Sequence, residues 1–125
     1  MQKFIQSKIQ DSINLKSSLL NNTQILNSVN ELIKDIITCY KNGGKVLWCG
    51  NGGSAGNAVH LANDLLYGAG VKNGIGLRVE SLSANTAIIT CLGNDIGYEN
   101  IYAEQLRVKA NAGDVLVVLS GSGNS

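Results

Sequence analysis

Gly50-Asn51-Gly52-Gly53-Ser54-Ala55 follows the apolar run Val46-Leu47-Trp48-Cys49, and this stretch decides the fold. The apolar run reads as a short buried strand, the glycines as a turn, and the residues beyond as a helix carrying His60 and Asp64. Glycine lets backbone approach a ligand closely and turn its N–H groups inward. The start of a helix adds unpaired donors and the positive end of a dipole, so the unit suits an anion, most often a phosphate. A second apolar run, residues 115–119, leads into Ser120-Gly121-Ser122-Gly123-Asn124-Ser125, a loop of the same kind. Two such loops after two strands are a more specific signal than either alone.

Around these loops the chain reads as α/β. Residues 45–49 form the first strand, with Trp48 in the core, and residues 54–67 a helix that buries Ala58, Leu61, Ala62 and Leu65. That helix lines up Asn57, His60 and Asp64 on another face and ends at Gly68. Residues 69–74 form a glycine-containing loop and residues 74–80 a second strand. Ser83 caps a short helix through Ala87, Ile88, Ile89 and Leu92, closed by Gly93. A polar turn, Asn94-Asp95-Ile96-Gly97, opens a helix over 98–110, and Asn111-Ala112-Gly113-Asp114 turns the chain into the third strand. Strands alternating with helices predict a parallel sheet flanked by helices.

Upstream, Phe4, Ile5, Ile9, Ile13, Leu19 and Leu20 recur at helical spacing until Asn21-Asn22-Thr23 interrupts them. A second helix places Ile25, Leu26, Val29, Leu32, Ile33, Ile36, Ile37 and Tyr40 on an i, i+3, i+4, i+7 face and ends at Asn42-Gly43-Gly44. Residues 1–43 are thus expected as an N-terminal helical hairpin of the same domain as the α/β core, 44–125. Its broad apolar face suits both a cover over that core and an oligomer interface.

Composition narrows the function classes. The 125 residues hold ten basic and nine acidic side chains, without a basic stripe or charge block. This argues against nucleic acid or an anionic membrane surface as the main partner. No apolar run approaches a transmembrane length, and the first residues lack the apolar core of a signal peptide. The three cysteines, Cys39, Cys49 and Cys91, form neither a disulfide framework nor a C-x-x-C pair, which suits a reducing cytoplasm.

Each motif has a competing reading. Gly50, Gly52 and Ala55 satisfy a loose G-x-G-x-x-A, with Glu80 placed to act as a ribose-binding acid. Asn51 and Ser54 add side-chain hydrogen-bonding groups, and the serine loop has no place in a dinucleotide site. No lysine follows either glycine run, which removes the P-loop reading. The hydroxyls of Ser120, Ser122 and Ser125 suit the oxygens of one phosphate ester, against a bland reading as a frayed tail. His60 and Asp64, at i, i+4, face the same way. They make either a surface pair, two ligands for a metal such as zinc, or a base beside an imidazole. Two ligands do not complete a zinc site, and the sequence has no other histidine. Asp95 reads as a helix N-cap or as an acceptor for sugar hydroxyls.

Taken together, Gly50–Ala55 with His60 and Asp64, then residues 93–98 (Gly-Asn-Asp-Ile-Gly-Tyr), then Gly113-Asp114-Val115-Leu116 running into Ser120–Ser125, resemble the sugar isomerase (SIS) family. Within it the chain is similar to bacterial phosphoheptose isomerases over essentially its whole length. The resemblance implies a flavodoxin-like α/β sandwich and interconversion of sedoheptulose 7-phosphate with a heptose 7-phosphate aldose. It further implies a cytoplasmic homotetramer, a zinc ion near the site, and a role in supplying heptose for bacterial surface polysaccharides. By matching position, Asn51, Gly52, Gly53 and Ser54, with Asn94 and Asp95, would contact the phosphorylated sugar. Ser120, Gly121, Ser122 and Ser125 would hold its phosphate, His60 would bind zinc, and Asp64 would bind metal and move the proton. Two departures stand out: Asp64 replaces a customary glutamate, and the family's C-terminal part, with a further glutamine and histidine, has no counterpart here. The expectation is therefore a C-terminally incomplete SIS core. A non-catalytic phosphosugar-binding or adaptor module, and an inactive fragment, are the alternatives to an isomerase.

Overall fold

All five residues of β1, Val46–Gly50, are buried, because a strand lies on each side of it and a layer covers each face. The computed structural model describes residues 1–68, 74 and 76–125. In it β1 is the central strand of a three-stranded parallel sheet, between β2 (Val79–Ser81) and β3 (Val115–Leu119). Val46 pairs with Val79 on one side and with Val115 on the other, and Gly50 lies opposite Leu119. Alternate β1 side chains serve opposite faces, as the period of two requires. Val46 and Trp48 pack with Cys39 and with Ala58 and Ala62 of α3 (Gly53–Asn63). Leu47 and Cys49 pack with Leu82, against Tyr102 and Leu106. Burial pushes the Cys49 thiol up from its ordinary pKa, which suits a packing role rather than a reactive one.

The expected α/β architecture is present, with two N-terminal helices, α1 (Gln2–Leu20) and α2 (Thr23–Lys41). The Asn22 side chain accepts the Ile25 N–H at 3.1 Å, which caps the start of α2. The chain divides into two compact units, Met1–Asp35 and Ile36–Ser125. Within the first, every residue is exposed, including Phe4, Ile5, Ile9 and Ile13 of α1 and Leu26, Val29 and Ile33 of α2.

Four expectations need correction. The second strand is shorter than residues 74–80. The ladder begins at the Val46–Val79 pair, with the Val46 N–H on the Arg78 carbonyl at 3.0 Å, and the Leu77 N–H turns instead to the Leu65 carbonyl at 3.0 Å. The helix over 54–67 is α-helical only to Asn63 and continues as a π-helical turn, Asp64–Gly68. The next helix, α4, runs Thr86–Asp95: Asn85 caps it by accepting the Ile88 N–H at 3.1 Å, and neither Ser83 nor Gly93 bounds it. Finally, residues 98–110 hold a 3-10 turn, Tyr98–Asn100, and then α5, Ala103–Lys109. Of the expected loop 69–74, all but Gly74 lies outside the described residues, as does Ile75.

Asp114 joins the starts of β1 and β3. Its Oδ1 accepts the Lys45 N–H and its Oδ2 the Asn111 N–H, each at 2.8 Å. The bond from Lys45 is the main reason its carboxyl is held below the usual range. A carboxylate whose folded pKa is depressed stabilises the fold above its unfolded value, about 3.9, and loses that contribution as pH falls through the folded value. Asp114→Ala is therefore expected to lower Tm at pH 7. The gap from wild type should narrow as pH falls below about 4 in calorimetric scans.

Candidate functional site

Parallel strands all finish at one edge of the sheet, so the loops after β1 and β3 leave side by side from the paired positions Gly50 and Leu119. This close approach is why residue 50 is glycine. A Cβ there would lie 2.7 Å from the Ser54 Cβ and 2.8 Å from the Leu119 carbonyl oxygen. The chain turns at Gly52, the N-cap of α3, and the N–H groups of Ser54 and Ala55 return to the Asn51 carbonyl at 2.9 and 3.3 Å. The second loop curls on its own hydroxyls. Ser120 Oγ accepts the Gly123 N–H at 2.9 Å and lies 3.2 Å from Ser125 Oγ, while Ser122 Oγ accepts the Asn124 N–H at 3.2 Å.

Both loops reach one cleft of about 480 Å³, lined by Asn51, Tyr98, Glu99, Ile101, Tyr102 and Ser125. That volume falls in the range of small-molecule sites. The cleft brings Asn51 and Ser125 together. Asn94 and Asp95 close α4 instead: Asn94 Nδ2 donates to Asp95 Oδ1 at 2.8 Å, and the Cys91 thiol donates to Asp95 Oδ2 at 3.4 Å. Through that bond Asp95 pushes the Cys91 thiol pKa up. Asp95 does not cap the following turn, whose N-cap is Gly97. Glu80 is held by the Lys109 ammonium at 2.5 Å, a packing role that leaves the dinucleotide reading without its acid.

His60 Nε2 and Asp64 Oδ2 lie 3.3 Å apart, with side-chain exposures of 74% and 39%. The pair is side by side, as its spacing predicts. Among the described residues no third His, Cys, Asp or Glu joins it. Two donors fit an imidazole beside a carboxylate base, but they fall short of the four ligands of a zinc centre.

A model of the SIS domain matches residues 11–125. The chain belongs to the SIS domain family. Along its whole length it is 38% identical to the phosphoheptose isomerase of Aneurinibacillus thermoaerophilus, of which it spans 63%. The structure of phosphoheptose isomerase from Neisseria gonorrhoeae superposes with a TM-score of 0.89 at 33% identity, over 99% of this chain and 62% of that one. For a phosphoheptose isomerase from Francisella tularensis the TM-score is 0.91 at 33% identity, over 99% and 63%. The chain thus spans somewhat less than two thirds of these relatives.

In this SIS domain the first loop is held by side chains that sequence spacing does not assign to it, among them Ser83, expected as a helix cap. Ser83 Oγ accepts the Gly50 N–H at 3.3 Å, donates to the Gly50 carbonyl at 3.1 Å and lies 3.0 Å from the Tyr102 hydroxyl. Tyr102 also donates to the Gly50 carbonyl. Behind them the buried Gln105 donates to the Leu82 and Ile101 carbonyls, both at 3.0 Å. Nothing in the spacing of Ser83 and Tyr102 announces this, because their partner is a peptide group far along the chain. The one legible signal is the run of hydroxyl-bearing residues after the second strand, which reads equally well as a helix cap. Ser83→Ala leaves the Gly50 N–H without its side-chain acceptor. It should cost about 1–3 kcal/mol in urea unfolding, with the m-value unchanged.

Proposed function

We propose that this SIS domain is a phosphosugar isomerase that interconverts sedoheptulose 7-phosphate and D-glycero-D-manno-heptose 7-phosphate. The observation that carries the reading is the meeting of the glycine loop and the serine loop in one cleft, through Asn51 and Ser125. The whole-length similarity to phosphoheptose isomerases supports the choice of sugar. In this reading the hydroxyls of Ser120, Ser122 and Ser125 and the backbone at Gly121 hold the phosphate. Asn51, Gly52, Gly53 and Ser54, with Asn94 and Asp95, contact the sugar.

The reaction moves one proton between neighbouring carbons. Asp64 takes the proton from the hydroxyl-bearing carbon beside the carbonyl, and the freed electron pair forms a carbon–carbon double bond while the carbonyl oxygen takes up the negative charge. The neighbouring hydroxyl passes its proton to that oxygen, and Asp64 returns its own proton to the former carbonyl carbon as the C=O bond forms at its neighbour. Phosphate binding supplies energy that positions the reacting end. His60 beside Asp64 orients the carboxylate. A zinc ion would polarise the carbonyl oxygen, but it would need donors beyond His60 and Asp64. As the biological setting we propose a cytoplasmic homotetramer that supplies heptose for surface polysaccharides.

A second reading has its own observation in its favour. The His60–Asp64 pair has no third His, Cys, Asp or Glu beside it among the described residues, which suits a phosphosugar-binding or adaptor module without turnover. Proton NMR of sedoheptulose 7-phosphate in D2O with the chain and zinc separates the two. Deuterium incorporation with aldose product supports the isomerase, whereas line broadening without exchange supports the binding module. If exchange occurs, Asp64→Asn should slow it by about 100-fold or more, and full activity in that variant would remove Asp64 as the base.

A further inference from the structure

The cleft is lined in part by Tyr98, whose hydroxyl donates to Asn51 Oδ1 at 3.1 Å. An asparagine amide has an acceptor end and a donor end. With its oxygen taken by Tyr98, Asn51 keeps its NH2 group without a hydrogen-bond partner among the described residues, at the wall of the cleft. We propose that Tyr98 is a positioning residue: it fixes the Asn51 amide so that the NH2 group meets a ligand oxygen, a sugar hydroxyl or carbonyl. The sugar half of this statement rests on the function proposed above.

Tyr98 is placed for this by local structure as well as by the bond itself. α4 stops at Asp95, and Gly97 takes a φ of +94°, which L side chains rarely adopt, so that the chain reverses directly before Tyr98. A Cβ on Gly97 would also lie 2.8 Å from both Glu99 carboxylate oxygens. The 3-10 turn that carries Tyr98 is tied by the Asn100 side chain, which donates to the Ile96 carbonyl at 2.7 Å. Two residues beyond the turn, Tyr102 donates to the Gly50 carbonyl. Residues 98–102 therefore grip the first loop at two successive residues, the backbone of Gly50 and the side chain of Asn51. The ring of Tyr98 is itself 58% exposed, so its hydroxyl contributes more to this loop than its packing does to the core.

The test is Tyr98→Phe in the full chain, which keeps the ring and removes the hydroxyl. Two measurements are made. One is the side-chain amide signal of Asn51 in a nitrogen–proton correlation spectrum, assigned through its loss in Asn51→Asp. The other is affinity for inorganic phosphate and for sedoheptulose 7-phosphate. The expected result is a displaced Asn51 amide signal, unchanged phosphate affinity, and roughly tenfold weaker binding of the sugar phosphate, about the effect of one lost hydrogen bond. An unmoved amide signal overturns the proposal. So does an equal loss of affinity for both ligands, since that reports a general disturbance of the site rather than an oriented amide. If the wild-type chain binds phosphate but not the sugar phosphate, the proposed function fails on its own, and the amide signal alone decides whether Tyr98 orients Asn51.

Discussion

The structure depends on the closeness of three backbones at Gly50. The last residue of the central strand must pass against Leu119 of β3 on one side and against the first turn of α3 on the other, at distances that leave no room for a side chain. Because both strands run the same way, this contact sets two loops beside each other at a single sheet edge. Ser83 and Tyr102 then satisfy the backbone of Gly50, N–H and carbonyl both. The loop is thus anchored at its base by a residue whose backbone N–H and carbonyl both have partners.

The same arrangement divides the labour of the site. The serine loop spends its hydroxyls on its own backbone, which keeps Ser120 and Ser125 together ahead of any ligand. The first loop owes its shape to residues far along the chain, on the turn after β2 and around the start of α5. His60 and Asp64 stand apart from this network, on an exposed part of α3 and the π-helical turn beyond it. The two loops are therefore built into the core architecture. The ionisable pair is a helix-surface feature, one step removed from it.

Within the sheet, the apolar character of the chain is spent unevenly. Val46 and Leu47 are almost fully buried, whereas Leu116 and Val118 of the edge strand β3 are 42% and 60% exposed. β1 packs on both faces, whereas on β3 Val115, Val117 and Leu119 pack on the cluster that holds Ala58 and Ala62, and Leu116 and Val118 point to the other face. The alternating burial along β3 is the direct consequence.

By itself the sequence determined the strand–loop–helix unit at 46–64, the third strand with its serine loop, the two N-terminal helices and the pairing of His60 with Asp64. All of these follow from local rules: apolar periodicity, glycine at turns, and side chains one helical turn apart. What it left open involves partners distant in the chain. The length of β2 depends on where its ladder with β1 begins, and the start of α4 on Ser83 being drawn to Gly50 while Asn85 takes the cap. The roles of Tyr98, Tyr102 and Gln105 rest on hydrogen bonds to backbone or side-chain groups that only folding brings near. Local chemistry announces itself in a sequence through spacing. A bond between Tyr98 and Asn51 has no spacing to announce it, and only the tertiary structure decides that it exists.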